Sequence, residues 1–494
     1  MFCRTTRRDF LKILGLGSLA IAHPLTFSSC SRKKRPNILV LFTDDQRFDT
    51  IRALGNTDIQ TPHMDALVQG GTSFTHAFIR GGTSGAVCMP SRSMLLTGRG
   101  LFHIEGIGRT IPEDHVMMPE LFRDLGYDTF GIGKWHNGRE AYARCFTGGA
   151  EIMFGGMSDH WNVPVYGFDP EGAYETRTPV IEQPQRSNKV VFKGYDHITA
   201  GKHSSELFAD AACRFLADHD HSHPFFLYIA FTAPHDPRTA PKEFLEMYDP
   251  EKMSLPPNFL PRHPFDNGEM TVRDELLAPS PRTPAEIKRH IAEYYAIISH
   301  LDAQIGRIME ILVRSGQAEN TVVVFAGDNG LALGQHGLMG KQSVYEHSVH
   351  VPLIFKGPGI PEGEQRSDLC YLTDIFSTVC EAAGVAKPGS AEGESLIPAM
   401  ENQERKTREA LYFAYRHFQR ALRLRDWKLI LYNVGGIKHT QLFHLRNDPW
   451  EMKNLAGDPS QAERIREMTG MLKTMMAEAG DPVLLDEPDW GVSE

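Results

Sequence analysis

Five short apolar runs constrain this chain more than any other feature: "NILVLF" (37–42), "TFGI" (129–132), "FFLYIAF" (225–231), "TVVVFA" (321–326) and "VPLIF" (351–355). A strand with one wet face alternates apolar and polar residues, so runs without alternation belong to strands buried on both faces. Helical periodicity fills the intervals. It is plainest over 285–315, where Ile287, Ile291, Tyr294, Ile298, Leu301, Ile305, Ile308 and Leu312 recur at three- and four-residue steps and Gly316 comes next as a stop signal. Buried strands alternating with helices predict an α/β fold with a large, mostly parallel sheet flanked by helices.

A chain of 494 residues exceeds what one core serves, since single cores stop growing near about 250–300 residues. The expected organisation is an export signal over 1–30, a catalytic domain over 35–394 and a C-terminal subdomain over 395–494. The subdomain is read as a small antiparallel sheet, from "ALYFAYR" (410–416), "ALRLRDWKLILYN" (421–433) and "TQLFHL" (440–445), with an Ala/Met-rich helix after it over 461–478. At the start, "TTRRDFLK" (5–12) precedes the apolar "ILGLGSLAIA" (13–22), the order of a twin-arginine export signal. Ten apolar residues do not span a bilayer, which takes about 20. The expected partner is therefore the twin-arginine export machinery, and the expected location the periplasm. "LTFSSC" ends in Cys30 and is similar to a lipoprotein cleavage site, with Phe27 where such sites carry Leu. Lipidation of Cys30, giving an outer-membrane-anchored form, stays an open alternative.

The formal charge of −10 excludes a basic nucleic-acid scaffold, so an anionic substrate would need a local basic pocket. The residues just beyond the strands supply one. Asp44 and Asp45 come after the first run, Lys134 and His136 after the second, His235 after the third, and Asp328 and Asn329 after the fourth. In open α/β sheets ligands bind beyond the carboxyl ends of the strands, where residues remote in sequence meet. Asp44, Asp45, Asp328 and Asn329 are hard oxygen donors, which suits calcium or magnesium and disfavours zinc. Arg92, Lys134, His136, His235 and Lys341 form a second, cationic set. Taken singly, an Asp after a strand is a cap or turn residue; their convergence is the signal.

Of the seven cysteines, Cys3 falls in the signal, and Cys145, Cys213, Cys370 and Cys380 are scattered without metal-site spacing, so buried thiols are expected of them. Cys88 differs, lying among small and polar residues two positions before Pro90. Pro90 suits the first turn of a helix running to Gly98, which puts residue 88 at a helix N-terminus, where negative charge and a reactive thiolate are favoured.

These residues carry a resemblance. "CMPSRSMLLTG" (88–98) matches the signature Cys-x-Pro-Ser-Arg-x-x-x-Leu-Thr-Gly of the formylglycine-dependent sulfatases, and "GYDTFGIGKWH" (126–136) matches that family's second signature. "LFTDDQ", "APHDP", "GDNG", "GKQSVYEHSVHVPLI" and "LFHLRNDPWEMKNLA" resemble its further blocks in the family's order, over roughly 36–460. The resemblance implies an alkaline-phosphatase-like fold and sulfate ester hydrolysis. It also implies that a sulfatase-maturating enzyme oxidises Cys88 to Cα-formylglycine (3-oxoalanine), whose hydrate attacks sulfur with one hydroxyl and expels sulfate with the other. By the same implication Asp44, Asp45, Asp328, Asn329 and residue 88 hold one Ca²⁺. Arg92 and Lys134 orient the nucleophile, and His136 is the base of the second step. His235 and Lys341 grip the sulfate, with His235 protonating the leaving alcohol because its ordinary pKa near about 6.5 suits an acid. Asn137 and His444 depart from the family pattern, outside these roles.

For the substrate, export points to a sulfated sugar or oligosaccharide. Residues 139–202 read as a long, weakly periodic segment rich in aromatic and basic side chains, from which Trp161, Arg177 and His197 are candidate sugar contacts. Arg416, His417 and Arg420 are candidate rim residues, with an amphipathic strand as the alternative. Two further readings stay open: a phosphonate or phosphate diester hydrolase on the same scaffold, and a non-catalytic glycan-binding lipoprotein, for which Cys88, Pro90 and Arg92 together would be superfluous.

Overall fold

The computed structural model describes residues 35–183 and 185–490. The export-signal and Cys30 readings fall outside the described residues. The central sheet has eight strands: β1 (Asn37–Thr43), β2 (Thr72–Phe74), β3 (Asp128–Lys134), β4 (Gly148–Met153), β5 (Phe225–Ala230), β6 (Thr321–Gly327), β7 (Leu353–Lys356) and β8 (Glu364–Arg366). Their spatial order is β8-β2-β7-β6-β1-β5-β3-β4. All neighbouring pairs are parallel except the two that β7 makes, with β6 and with β2.

The unbroken apolar runs have a simple cause. Ile38, Val40 and Phe42 of β1, with Phe226 and Tyr228 of β5 and Val322 and Val324 of β6, pack into one core. The alternate residues Leu39, Leu41, Phe225, Leu227, Val323 and Phe325 pack into a second core on the opposite face. The second core is closed by helices α1 (Pro62–Gln69), α3 (Ser204–Asp218) and α4 (Pro284–Arg314). Every periodic residue expected of α4 is buried, Thr283 caps its start by accepting from Glu286 N–H, and Gly316 lies in the left-handed region beyond its end. The first core takes Leu95 and Leu96 of α2 (Cys88–Thr97).

The C-terminal strands β9 (Ala410–Tyr415), β10 (Gln419–Leu424), β11 (Trp427–Val434) and β12 (Ile437–His444) form an antiparallel meander. Helix α5 (Ala462–Glu478) covers it with Met468, Leu472 and Met476 against Leu422, Leu429 and Leu442. Gly81 and Gly82, just upstream of α2, pair in parallel with β9, so the meander braces the chain that leads to Cys88. Two expectations are corrected. "ALRLRDWKLILYN" is two strands, turned at Arg425 and Asp426 without the Gly or Pro that would have announced the reversal. Residues 139–202 are not one irregular segment. They hold a helix (Arg139–Cys145), the edge strand β4 and a hairpin of Thr178–Ile181 with Val190–Lys193; glycines at 148 and 149 break the period by which β4 would be read. Among the described residues no helix is long and apolar enough to cross a membrane.

Candidate active site

Strands β6, β1, β5 and β3 are consecutive neighbours, and the residues beyond their carboxyl ends converge with the N-terminus of α2. Cys88 is the first residue of α2 and is 2% exposed. Its Sγ lies 3.4 Å from His136 Nδ1 and 3.6 Å from Lys134 Nζ. One turn on, Arg92 Nε donates to Asp328 Oδ2 at 2.9 Å and Nη1 to the Lys134 carbonyl at 3.0 Å, which ties α2 to β6 and β3. Lys134 Nζ donates to Asp44 Oδ2 at 2.5 Å, and Lys341 Nζ to Asp45 Oδ1 at 2.6 Å. His235 Nε2 faces Asp45 Oδ2 at 3.6 Å, while its Nδ1 donates to the Asp236 carbonyl at 2.8 Å.

Backbone conformation at the site is unusual. Asp45 (φ 65°) and His136 (φ 70°) both lie in the left-handed region, which costs a non-glycine residue about 1–3 kcal/mol and persists where the surroundings impose it. Gly133 allows the close approach of β3 to β5, since a Cβ there would sit 2.1 Å from the Ala230 carbonyl oxygen. Asn137, a departure from the family pattern, is fully buried and donates to the carbonyls of Met89 and Gly108 at 3.0 and 2.6 Å, anchoring the first turn of α2.

The electrostatics suit a cation. Ligand atoms of Asp44, Cys88 and Asp328 lie within 4.8 Å of one another. Burial and the adjacent Asp44 push Asp328 up to about 7. Asp44 is held far below the usual carboxylate range: its burial is outweighed by Lys134, His235 and Arg92 together. Two buried oxygens, Asp44 Oδ1 and Asn329 Oδ1, accept no hydrogen bond from the described residues. Orphaned buried acceptors cost about 1–3 kcal/mol each, and a hard divalent ion is the partner that all-oxygen donors of this kind fit. Cys88 departs from the expected thiolate. Burial pushes its thiol above the ordinary value, more than Lys134 and Lys341 lower it, so desolvation outweighs the helix terminus. Burial also lowers both histidines, His136 to about 2 with Lys134 and Arg92 adding to the effect, and His235 to about 4 against the pull of Asp45. Lys341 is held well above its ordinary value: Asp45 and Cys88 outweigh its burial.

Trp161 is half-buried, edge-on to His203 at 5.2 Å. Arg177 is exposed, and His197 is exposed and pairs with Glu151 at 3.0 Å. Arg416 pairs with Glu269 at 2.6 Å, and His417 lies against the Phe418 ring at 4.1 Å, both half-buried. Arg420 is not a rim residue. It is 1% exposed and clamped on Asp481 at 2.5 and 2.9 Å, because the adjoining β10 face is closed by the chain beyond α5. Sequence reasoning missed several wall residues. Asp236, visible in "APHDP", stands 3.3 Å from His235 Nδ1 and pairs with Arg273, which also holds Asp274 at 2.8 Å. Gln342 donates to Asp274 Oδ2 at 2.7 Å beside Lys341. Gly156 lies over His136, where a Cβ would be 2.8 Å from Nε2; the Gly-Gly pair at 155–156 is its only signal in the sequence. The four remaining described cysteines are free; Cys145, Cys370 and Cys380 are buried, and Cys213 is half-buried.

Residues 36–385 match the family model described as sulfatase, and residues 334–478 match the one described as N-sulphoglucosamine sulphohydrolase, C-terminal. An N-acetylglucosamine-6-O-sulfatase of Bacteroides thetaiotaomicron is 26% identical, covering 94% of this chain and 90% of that protein. A structure described as in complex with its substrate D-glucosamine-2-N,6-O-disulfate is 23% identical, with a TM-score of 0.67, covering 91% of this chain and 99% of that one. A phosphonate monoester hydrolase of Agrobacterium radiobacter is 22% identical, with a TM-score of 0.68, covering 90% and 96%.

Proposed function

The chain belongs to the sulfatase family, and from that premise we propose that it hydrolyses a sulfate ester on a carbohydrate, with residue 88 matured to Cα-formylglycine and one Ca²⁺ in the oxygen-rich pocket. The observation that carries this reading is the setting of Cys88. It is buried at a helix N-terminus, beside two carboxylates, Lys134 and His136, next to two orphaned oxygens that no described donor satisfies. The hydrated aldehyde at residue 88 would offer the attacking hydroxyl, and a bound cation would supply Lewis-acid stabilisation of negative charge at the site.

This chain's own residues do the rest. Asp44, Asp45, Asp328 and Asn329 would hold the cation, with residue 88 completing the set. Arg92 and Lys134 fix residue 88 through charge and position. His136, neutral and 3.4 Å from Sγ, takes a proton from residue 88. Lys341 stays charged and grips the sulfate. His235 is neutral before substrate arrives; an anion between it and Lys341 favours its protonated form, from which it protonates the leaving alcohol.

The sugar class is supported by the relative named for N-acetylglucosamine 6-sulfate chemistry and by the structural neighbour that binds a glucosamine disulfate. We assign Trp161, Arg177, His197, Arg416 and His417 to the sugar side of the site and leave Arg420 out of it. The Arg7-Arg8 signal supports export by the twin-arginine machinery, with a maturating enzyme as the second biosynthetic partner.

Mass spectrometry of the tryptic peptide covering residues 81–92, from enzyme active on N-acetylglucosamine 6-sulfate or on an aryl sulfate, tests the reading. Formylglycine at 88 is expected. Fully active enzyme carrying only cysteine there refutes the mechanism, and phosphonate turnover without sulfate release refutes the substrate class.

A further inference from the structure

His235 is held in place by a histidine outside the catalytic set. His160 lies at the end of the stretch that covers His136, one residue before Trp161, and is 1% exposed. Its Nε2 lies 2.9 Å from the His235 carbonyl oxygen, an acceptor with no proton, so Nε2 must carry the ring's hydrogen and donate it. Nδ1 is then the acceptor. It lies 2.7 Å from Ser204 Oγ, and Ser204 in turn accepts from Thr232 Oγ1 at 2.9 Å. Thr232 also accepts at its carbonyl the backbone N–H of His235, at 3.1 Å. The order Thr232 hydroxyl, Ser204 hydroxyl, His160 ring, His235 carbonyl gives every donor an acceptor at its shortest contact, and the Thr232 hydroxyl also lies 3.3 Å from His160 Nδ1. It closes a buried ring of hydrogen bonds behind the loop that carries His235.

Two more histidines stiffen this ring without entering it. His203 stacks on His160 at 4.9 Å with planes 8° apart, and His300 meets His203 edge-on at 4.4 Å. His203 is itself fixed, with Nε2 on the Thr239 carbonyl at 2.9 Å and Nδ1 accepting the Ser205 N–H at the start of α3. The backbone agrees, since Ser204 N–H donates to the His160 carbonyl at 2.7 Å. His160 therefore cannot turn or change tautomer without breaking bonds on both nitrogens. Losing its Nε2 donor would leave the His235 carbonyl buried and unpaired.

We propose that His160 is a positioning residue for His235, setting through the His235 carbonyl where that imidazole meets the substrate, and thereby joining the covering stretch that ends in Trp161 to the sulfate-binding wall. The inference rests on the placement of His235 at the sulfate in the proposed function. It does not depend on whether His235 acts as acid or only as sulfate ligand.

A double-mutant cycle on aryl sulfates of graded leaving-group pKa tests it, with His160→Ala, His235→Ala and the pair, each with melting temperature and metal content recorded. Alone, His160→Ala is expected to lower kcat/KM by about 10- to 100-fold, the usual cost of removing an orienting partner, and to do so by less than about threefold when His235 is already Ala. His160→Gln, whose amide can both donate to the carbonyl and accept from Ser204, is expected to recover most of the loss. If His160→Ala does not fold, Ser204→Ala runs the same cycle. Equal losses in both His235 backgrounds, or no loss from His160→Ala, overturn the proposal. If His235→Ala leaves the leaving-group dependence unchanged while the coupling remains, the acid role of His235 fails and the positioning role stands.

Discussion

At the scale of single residues, the site shows how burial decides chemical roles that residue type leaves open. Cys88 is a poor thiolate where it stands, because desolvation outweighs two lysines; the uncharged aldehyde of the proposed function would carry no such penalty. The two histidines sit in different company, His136 against Cys88 and His235 against Asp45 and Asp236, so their loss is expected to fail at different stages. His136→Ala should release a single burst of alcohol and then stop, since the step that regenerates residue 88 loses its base. His235→Ala should depend on the leaving group, with severe losses on a sugar sulfate and mild ones on nitrophenyl sulfate, whose phenolate leaves unaided. Pre-steady-state alcohol release and paired kcat/KM values measure both. Equal losses of His235→Ala on the two esters would transfer the acid role to Lys341.

At the scale of elements, β10 and the chain beyond α5 are joined by one buried ion pair. Arg420 and Asp481 are 1% and 0% exposed at their side chains, Arg420 also donates to the Arg416 carbonyl at 2.6 Å, and Tyr412 donates to Asp481. Removing one partner of such a pair strands a buried charge, so Asp481→Ala should destabilise the protein by about 3–5 kcal/mol. Urea denaturation should show a lower midpoint with an unchanged slope. The kcat of the folded fraction on an aryl sulfate, which carries no sugar to meet Arg416, should stay near the wild-type value, because neither partner of the pair bonds a residue of the catalytic set. A selective fall in kcat at unchanged stability would return Arg420 to the rim. Helix α4 makes the opposite case: its boundaries and buried face are set by period, cap and stop signal, since one stripe of a long helix packing on a sheet carries its whole pattern locally.

At the scale of the whole molecule, the adjacent strands β1 and β6 and the start of α2 bring the proposed metal ligands together, so metal and fold should stabilise each other. Chelator-treated protein is expected to melt earlier, and free Ca²⁺ at about 100 times its Kd should add about 2.7 kcal/mol. Asp328→Ala should abolish that shift, the bound metal and the activity together. Calorimetry and elemental analysis check this, and stoichiometric zinc would contradict it. The sequence alone determined the α/β alternation, the charged and amide residues that follow four of the strands and the helix opening at Cys88, because apolar period, strand-end composition and the proline rule are local properties. Family motifs added the order of the blocks. Only the tertiary structure decided that β6, β1, β5 and β3 are neighbours, since strand order depends on crossovers that no local pattern encodes. It alone moved Arg420 inside, found Gly156 over His136 and set His160 behind His235. Each of these is a contact between segments far apart in the chain, where burial and hydrogen-bond geometry, not residue type, fix what a side chain can do.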